Sequence, residues 1–433
     1  MAGKMNIFLG LDDTCGYYTR LESGLKSLGV SCSLVNAYPN SRYEFEHDLG
    51  MVEKCVVWIG KKTNSCSRGS ISRYCWIGIK VLALIILFLW SLSRYDVYIF
   101  SGGTTFLYTY DLWLLKLLKK RLIVVYHGSD SRAPYLNPVI LGHKGDFNAK
   151  DCVAETRAIK KRLKKIEHYA DVIINNPNAA HLHESKIINW FCIGSPFFTP
   201  SLSNGHDNFS SKDPCVIVHA PTRPGPKGSP MIERAINSLQ EKGHNIKFVK
   251  LVGKPNAEVL KALSNCDFVV DELFSDIIMA SFAAEAASFG KPAVVGMYGY
   301  DKIKACIPEK KMIPPVLHCP PDDAEAAIEK LIIDKEYSIS LGKQARKFIE
   351  EQWSVEAIAK RFILLAKGEI PESWWYDPKD IKHLHGCCQT EKMTKTLLRA
   401  ILESYGTNAL QLSHNPALEQ EFVDFACNNQ KPC

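Results

Sequence analysis

The feature that most constrains the fold is an alternation of short β-branched or aromatic runs with longer helical stretches, which occurs twice along the chain. In the first half, MNIFLGL, VSCSLVNAY, DVYIFSG and RLIVVYHG alternate with segments such as YYTRLESGLKSLG and DLWLLKLLKK. In the second half, CVIVHAP, IKFVKLVG, CDFVVDEL and KPAVVGM alternate in the same way with segments such as MIERAINSLQEKG. This alternation is typical of βαβ units on a parallel sheet. The sequence therefore predicts two α/β domains in series.

The length of the chain supports the same division, because 433 residues are too many for one ordinary core. The segment 193–214 is rich in Ser, Asn, Gly and Pro and is interpreted as a linker. We expect a first Rossmann-like domain over 1–200, a second over 201–370, and a helical tail over 371–433 that packs back on the domains. The predicted fold class is α/β, with two doubly wound domains facing across a cleft. Ligands of open α/β sheets bind at the carboxyl ends of the strands, so the cleft is the predicted site.

Composition and charge set broad limits on partners and compartment. With 46% hydrophobic and 23% charged residues, the chain is typical of a folded protein. The formal net charge of +7 suits an anionic ligand or a membrane surface, and no nucleic-acid partner is predicted. The fifteen scattered cysteines form no zinc or disulfide pattern, which favours a reducing compartment. The apolar run after Lys4 is too short for a signal peptide, so we expect a cytoplasmic protein.

Two segments indicate contact with a membrane. The segment 76–92, WIGIKVLALIILFLWSL, is nearly all apolar, is interrupted by Lys80, and is shorter than the roughly 20 residues that span a bilayer. It is interpreted either as a buried helix or as a helix lying in the membrane interface. In RAIKKRLKKIEHYA, six basic residues fall within 157–165, which would attract anionic lipid. Most such runs are solvated helices, but the two segments together predict peripheral contact with the inner face of a membrane.

Two motifs in the first half place polar or flexible residues after predicted strands. In GLDDTCGYYTRLESGLKSLG, Gly10 and Gly16 would let backbone amides approach a phosphate or sugar beside a helix N-terminus, although an ordinary turn is the alternative. In VVYHGSDSR, a strand is followed by His127, then by Asp130 and Arg132 in the loop. A histidine at this position can hydrogen-bond a hydroxyl or a carbonyl. The alternative is a buried histidine beside a local salt bridge between Asp130 and Arg132.

Two motifs in the second half are typical of anion binding. VIVHAPTRPGPKGS places Arg223 and Lys227 on a loop between a strand and the helix that follows Gly228, and two cations there can neutralise a diphosphate. Later, FAAEAASFG puts Glu285 in the first half of a helix of small residues. Its carboxylate there would accept hydrogen bonds from both ribose hydroxyls, while amides at the helix start meet phosphate. The alternatives are solvated surface charges and an ordinary exposed glutamate.

Taken in order, HGSDSR, HAPTRPGPKGS and FAAEAASFGKPAVVG resemble motifs of the GT-B-fold glycosyltransferases of family four. The resemblance extends over about residues 5–367, and its second-domain motifs are the most specific part. It implies transfer of a sugar from a nucleotide-diphosphate sugar, with retention of anomeric configuration and no dedicated protein base. It also implies that His127 contacts the transferred sugar, that Arg223 and Lys227 hold the diphosphate, and that Glu285 holds the ribose.

The predicted catalytic residues are therefore His127, Arg223 and Lys227. The predicted donor-binding residues are Gly16, Arg223, Lys227, Gly228, Phe282, Ala283, Ala284 and Glu285, and the candidate sugar or acceptor contacts are Asp130, Arg132 and Asp276. One departure from the family concerns the donor sugar. Many members carry a glutamate eight residues before the ribose glutamate, where this chain has Ile277, with Asp276 one place away. The usual contacts to the sugar hydroxyls are then missing unless Asp276 replaces them.

No metal or other cofactor is predicted. The Asp-x-Asp triplet with which the other common glycosyltransferase fold holds a cation is absent, and side chains of the adjacent pairs at 12–13 and 322–323 would not both face one site on a strand. The leading prediction is a glycosyltransferase of polysaccharide biosynthesis, with a glycan or lipid-linked acceptor at the membrane. The alternatives are a nucleotide-sugar epimerase of similar build and a catalytically silent nucleotide-sugar-binding subunit.

Overall fold

The computed structural model describes residues 5–38, 49–67, 69–138, 148–200 and 214–427. The predicted linker 193–214 falls largely on residues 201–213, which lie outside the described residues, as do the last six residues of the predicted tail.

Twelve strands and fifteen α-helices are present in the described ranges. The strands are β1 (Asn6–Leu11), β2 (Ser31–Asn36), β3 (Val97–Ser101), β4 (Arg121–Val125), β5 (Val172–Asn175), β6 (Ile187–Asn189), β7 (Cys215–His219), β8 (Ile246–Lys250), β9 (Phe268–Val270), β10 (Ala293–Gly296), β11 (Leu317–Cys319) and β12 (Trp375–Tyr376). The helices are α1 (Tyr17–Ser27), α2 (Met51–Ser65), α3 (Ile71–Leu92), α4 (Leu112–Leu117), α5 (Ala149–Tyr169), α6 (Trp190–Ile193), α7 (Ser229–Glu241), α8 (Asn256–Leu263), α9 (Ser281–Ser288), α10 (Tyr300–Ala305), α11 (Ala324–Ile333), α12 (Lys335–Gln352), α13 (Val355–Lys367), α14 (Glu391–Tyr405) and α15 (Pro416–Cys427).

The strands form two sheets. The first has the order β12-β6-β5-β4-β3-β1-β2 and is parallel except for β12, which runs antiparallel to β6. The second has the order β11-β10-β9-β7-β8 and is parallel throughout. In each sheet the first strand lies between the second and the third, which is the order of one type of doubly wound domain. The predicted α/β fold class with two doubly wound domains is thus confirmed, and it is the architecture that the GT-B resemblance implies.

The burial of the strands explains why their sequences are continuous apolar runs rather than alternating ones. Every residue of β3, β5, β6, β9 and β10 is buried. Helices cover both faces of a doubly wound sheet, so neither set of side chains along a strand meets water. Ligand sites in such sheets lie where the strand order reverses, here between β1 and β3 and between β7 and β9.

A helical hairpin, α2 and α3, is inserted between β2 and β3. Helix α3 begins at Ile71 and is 22 residues long, so it extends beyond the apolar segment 76–92. By length and composition it could cross a membrane, and 28% of its most apolar window is buried. However, α2 packs against it, and β2 and β3 lie on either side of β1 in one sheet. The hairpin therefore returns the chain to the sheet that it left.

The end of the chain returns to the first domain. Helix α13 packs against α1, and Trp375 of β12 pairs with Ile188 of β6 at the edge of the first sheet. Helices α14 and α15 bury Leu398 and Phe422 in a core cluster that also contains strand residues of the first sheet such as Leu122. The residues after the second sheet therefore contribute to the hydrophobic core of the first domain.

This packing predicts that shortening a tail side chain destabilises the first domain. Leu398 is fully buried, so Leu398→Ala is expected to cost about 2–5 kcal/mol of unfolding free energy through lost burial and a residual cavity. Met393 lies on the same helix and is 55% exposed, so Met393→Ala serves as the control. Urea unfolding followed by circular dichroism would measure both. Equal stability of the two variants would contradict a tail that is part of the core.

Candidate active site between the two domains

A cavity of about 190 Å³ lies between the two domains, at the carboxyl ends of their strands. A cavity of about 150 Å³ can hold one six-membered ring, so this one is large enough for a single sugar-sized group. Its walls come from the loop after β1, from the loop after β4, from the segment before α9, and from the region around α6 and the end of α12. The lining residues are Thr14, Cys15, Tyr17, Arg20, Tyr126, His127, Asn176, Trp190, Ser195, Phe197, Ile277, Met279, Ala280, Ser281 and Trp353.

His127 lines this cavity directly after β4. Both carboxylate oxygens of Asp130 accept a hydrogen bond from the His127 backbone amide at 3.1 Å, and Asp130 also accepts from the Gly128 amide at 2.9 Å. The His127 Nε2 atom lies 3.3 Å from the Tyr18 hydroxyl. Burial lowers the pKa of His127 to about 4, so its imidazole is neutral at pH 7. The loop, whose backbone is held by Asp130, therefore presents to the cavity a neutral imidazole that contacts the Tyr18 hydroxyl.

Arg132 and Asp276 form a buried ion pair between the domains. The Arg132 Nε atom lies 2.8 Å from Asp276 Oδ2, and a second guanidinium nitrogen also contacts this oxygen. Both side chains are about 5% exposed or less. The Asp276 carbonyl accepts from the side-chain amides of Asn176 and Asn178 at 3.2 and 3.0 Å. Arg132 thus pairs across the cleft rather than with Asp130, and neither member of the pair lines the cavity.

Gly16 lies at the start of α1, where its φ of 72° is in the left-handed region that favours glycine. Its neighbour Cys15 lines the cavity. Two of the first amides of α1 are already bonded, because Asp13 Oδ1 accepts from the Tyr18 amide at 2.8 Å and from the Thr19 amide at 3.4 Å. Gly10 lies inside β1 rather than in the loop. The loop after β1 therefore contributes to the cavity wall through Thr14 and Cys15.

Lys227 stands between two carboxylates of the second domain. Its ammonium pairs with Glu272 and lies 4.0 Å from Asp271 Oδ1, and both acids follow β9 directly. Although burial lowers the pKa of Lys227, these carboxylates raise it more, so the side chain stays charged. Gly228 then begins α7 with a φ of 77°, and a Cβ there would lie 2.9 Å from Leu273. Arg223 is exposed on the same loop.

The start of α9 connects the cavity with the charged groups. Ala280 and Ser281 line the cavity, and one turn later the Ala283 amide donates to Asp271 at 3.3 Å. Glu285 is buried on the same helix and accepts a hydrogen bond from the Asn256 side chain at 2.9 Å. Burial raises the pKa of Glu285 to about 7, and the Asn256 bond opposes this rise.

The predicted residues of α9 differ in their exposure. Ala283 and Ala284 are fully buried, whereas Phe282 is only partly buried and packs at the edge of the core. The small side chains let α9 pack closely below the sheet, which brings its first turn to the cavity. Among the described residues, no group of three or more His, Cys, Asp and Glu side chains is placed to hold a metal ion.

Sequence reasoning missed several residues of this region. Asp271 and Glu272 had an available signal, since they follow a buried strand. Asn256 had no signal in the sequence, because its role depends on its contact with Glu285.

The tail was also missed as a neighbour of the site. The Cys387 amide donates to the Leu136 carbonyl in the first domain at 2.7 Å. The Cys388 amide donates to Phe274 in the second domain at 2.9 Å. The segment 381–389 therefore bridges the two domains beside the ion pair.

Comparisons with known proteins show distant likeness only. No family model matches the chain, and no curated protein matches it. Among solved structures, sucrose-phosphate synthase from Thermosynechococcus elongatus is 16% identical with a TM-score of 0.48, covering 84% of this chain and 99% of that one. Anabaena HepE in complex with UDP-glucose is 13% identical with a TM-score of 0.47, covering 84% and 99%. A protein described as a UDP-N-acetylglucosamine 2-epimerase from Listeria monocytogenes is 11% identical with a TM-score of 0.40, covering 86% and 98%.

The buried ion pair yields a prediction about the junction of the domains. Asp276→Ala leaves the Arg132 charge buried without its partner, which is expected to cost about 3–5 kcal/mol of unfolding free energy. Replacing both, Arg132→Met with Asp276→Leu, is expected to cost much less, because no buried charge remains. Lys347→Ala, in an exposed pair with Glu351, is the control and should change stability by less than about 1 kcal/mol. Urea unfolding measures all three, and an Asp276→Ala variant as stable as the control would contradict the pairing.

Proposed function

We propose that this chain is a glycosyltransferase that moves a sugar from a nucleoside-diphosphate sugar to an acceptor. The observation that carries the proposal is the convergence at the start of α9. There, a ring-sized cavity with a neutral His127 meets the start of α9, where Ala283 is bonded to Asp271 beside Lys227, and the same helix carries the buried Glu285. A sugar, a diphosphate and a ribose require these three environments in this order.

Glu285 and Asn256 supply the proposed ribose site. A buried carboxylate fixed by one hydrogen bond has acceptor capacity left for the two hydroxyls of a ribose. The amides at the start of α9 and the ammonium of Lys227 supply positive potential for the diphosphate. Lys227 now faces Glu272 and Asp271, so a bound diphosphate has to replace carboxylate oxygens as its partners.

The mechanism follows from the charge that grows on the leaving group. Breaking the bond between the sugar and the diphosphate adds negative charge to the diphosphate, and preorganised donors stabilise that charge. Lys227, Arg223 and the α9 amides fill this role, and the proposed mechanism uses no metal ion. Because His127 is neutral, it can hydrogen-bond the sugar without placing a second positive charge beside the one that develops on the sugar. Retention of configuration is proposed on the resemblance of the motifs.

The two alternatives make different demands on the site. An epimerase needs an acid and a base beside the sugar, but the described lining of the cavity contains no carboxylate. This observation favours transfer over epimerisation. A silent binding subunit would have the same geometry, and turnover separates it from an enzyme.

We also propose that the protein works in the cytoplasm at the inner face of a membrane, on a glycan or lipid-linked acceptor. The support comes from α3, whose outward face exposes large apolar side chains, and from the exposed lysines of its partner helix α2, which suit anionic lipid. The exposed apolar residues of α3 are Ile71, Tyr74, Ile77, Ile79, Val81, Leu82, Ile86 and Leu89, and the lysines are Lys54, Lys61 and Lys62.

The basic run 157–165 on α5 offers less free charge than its sequence indicates. Lys160 is buried and pairs with Glu184 at 2.8 Å, and Lys164 pairs with the same carboxylate at 3.0 Å. Arg162 donates to the Asp130 carbonyl at 2.8 Å. We therefore propose the α2–α3 hairpin as the main membrane contact, with 157–165 as a secondary one.

Turnover tests the proposed function. With EDTA present, and with membrane lipid extract as acceptor, the protein should release a nucleoside diphosphate from one of a set of nucleotide-sugars. Lys227→Met and Glu285→Gln are each expected to lower kcat/KM at least about tenfold, since each removes a charged or charge-accepting contact. Lys347→Ala, an exposed lysine on α12, is the control. Donor binding without release would contradict the enzyme and favour a silent subunit.

The pH dependence of binding tests the role of Glu285. Because burial raises its pKa to about 7, the carboxylate form is lost as pH falls below 7 and is complete above about 8. Calorimetric affinity for a nucleoside diphosphate should therefore rise with pH through this range and then level off. Glu285→Gln should remove this rise, and it should also reduce the preference for the diphosphate over its 2′,3′-dideoxy counterpart. An unchanged rise in the variant would show that another group titrates.

Vesicle binding tests the membrane proposal. Wild-type protein should sediment with vesicles of phosphatidylcholine and phosphatidylglycerol. Leu82→Asp with Ile86→Asp should weaken this binding by more than about tenfold, because each side chain is worth about 1.5–3 kcal/mol when buried. The control Ile333→Asp changes an equally exposed isoleucine on the second domain. If the control weakens binding as much, the hairpin is not the contact surface.

A further inference from the structure

The residues that line the cavity are of two chemical kinds. The polar ones include Thr14, Arg20, His127, Asn176, Ser195 and Ser281. The apolar and aromatic ones include Ile277 and Met279 from the second domain together with Tyr17, Trp190, Phe197 and Trp353. A sugar ring that fills the cavity must therefore bury part of its edge against aliphatic and aromatic carbon.

The carboxylate that is adjacent to Ile277 in the sequence is bonded outside the cavity. Asp276 precedes Ile277 in the chain, but its side chain pairs with Arg132, and its carbonyl is bonded to two asparagines. Turning Asp276 towards the cavity would leave Arg132 buried and unpaired. A one-residue shift of the chain that would bring Asp276 into the place of Ile277 is therefore unfavourable.

The backbone at Ile277 is also held in place. The Ser275 hydroxyl oxygen accepts from the Ile277 amide at 3.1 Å and lies 2.7 Å from the Ile277 carbonyl. These contacts fix the turn before α9, so the Ile277 side chain, and not a polar group, is what the turn presents to the cavity. The next residue of this wall, Met279, is almost fully buried.

A hydroxyl pressed against this wall would lose its water partners and gain none from the protein, which is unfavourable. A hydrogen or a methyl group at the same position would instead bury apolar surface. We propose that the donor of this enzyme carries a deoxy sugar, with the deoxygenated position against Ile277 and Met279. This inference rests on the proposed function, since it names the sugar that the same site accepts.

The experiment compares a nucleotide-hexose with its 3-deoxy, 4-deoxy and 6-deoxy counterparts on the same nucleotide. Wild-type protein should prefer one deoxy donor by about 10- to 100-fold in kcat/KM, the range over which an apolar pocket discriminates against an added hydroxyl. Ile277→Glu should move the preference towards the parent hexose, because the carboxylate supplies the missing acceptor. Ile277→Val, which keeps an apolar wall, should retain the wild-type preference.

Binding of the same donors, measured by calorimetry, gives a second readout that does not require turnover. Circular dichroism establishes that each variant is folded, and Ile277→Thr replaces Ile277→Glu if the charged variant is not. A wild-type protein that binds and uses the parent hexose as well as every deoxy donor, with no change in Ile277→Glu, overturns the inference and leaves glycosyl transfer intact. A clear deoxy preference in binding without release of diphosphate supports the inference about the sugar, while the transfer activity fails.

Discussion

The site depends on one buried ion pair between the domains. Arg132 lies in the same loop after β4 as His127, and Asp276 lies in the segment that leads into α9, so the pair joins two segments that contribute residues to the cavity lining. A buried charge without a partner is costly, which means that these loops are held together whenever both side chains are in place. Asn176 and Asn178 strengthen the contact by donating to the same Asp276 backbone. This contact therefore helps to hold the loop of His127 near the segment before α9.

In the second domain, the lysine of the candidate site is paired with acidic side chains. Lys227 lies between the carboxylates of Glu272 and Asp271 near the α9 N-terminus, and Asp271 accepts a hydrogen bond from the Ala283 amide. Burial raises the pKa of Asp271, and the nearby Lys227 charge opposes this rise. A bound anion would replace these carboxylates as the partner of the Lys227 ammonium, so the lysine would be paired both before and after binding. The Lys227 ammonium therefore has charged partners in the absence of a ligand.

Local sequence signals singled out those residues of the candidate site that follow strands. His127, Lys227 and Glu285 could be singled out because a loop or helix after a parallel strand lies at the ligand edge of its sheet, whatever the rest of the chain does. The pairing of Arg132 with Asp276 could not be predicted, because the two residues are 144 positions apart and their contact depends on how the domains meet. The same reason hid Asn256 and the tail segment 381–389. Helix α2 was missed because its polar face weakens the apolar pattern that marks a core helix.

By itself, the sequence determined the two doubly wound domains, because strand and helix periodicity is a local property that sheet burial then reinforces. It also predicted a site between the domains, where the structure has a cavity, and it placed an isoleucine at position 277. Only the tertiary structure decided that Asp276 is committed to Arg132, that Lys227 has two acidic neighbours, and that the outer face of α3 is exposed. Those outcomes depend on which distant side chains meet when two domains and a tail pack together, and on how much water that packing excludes.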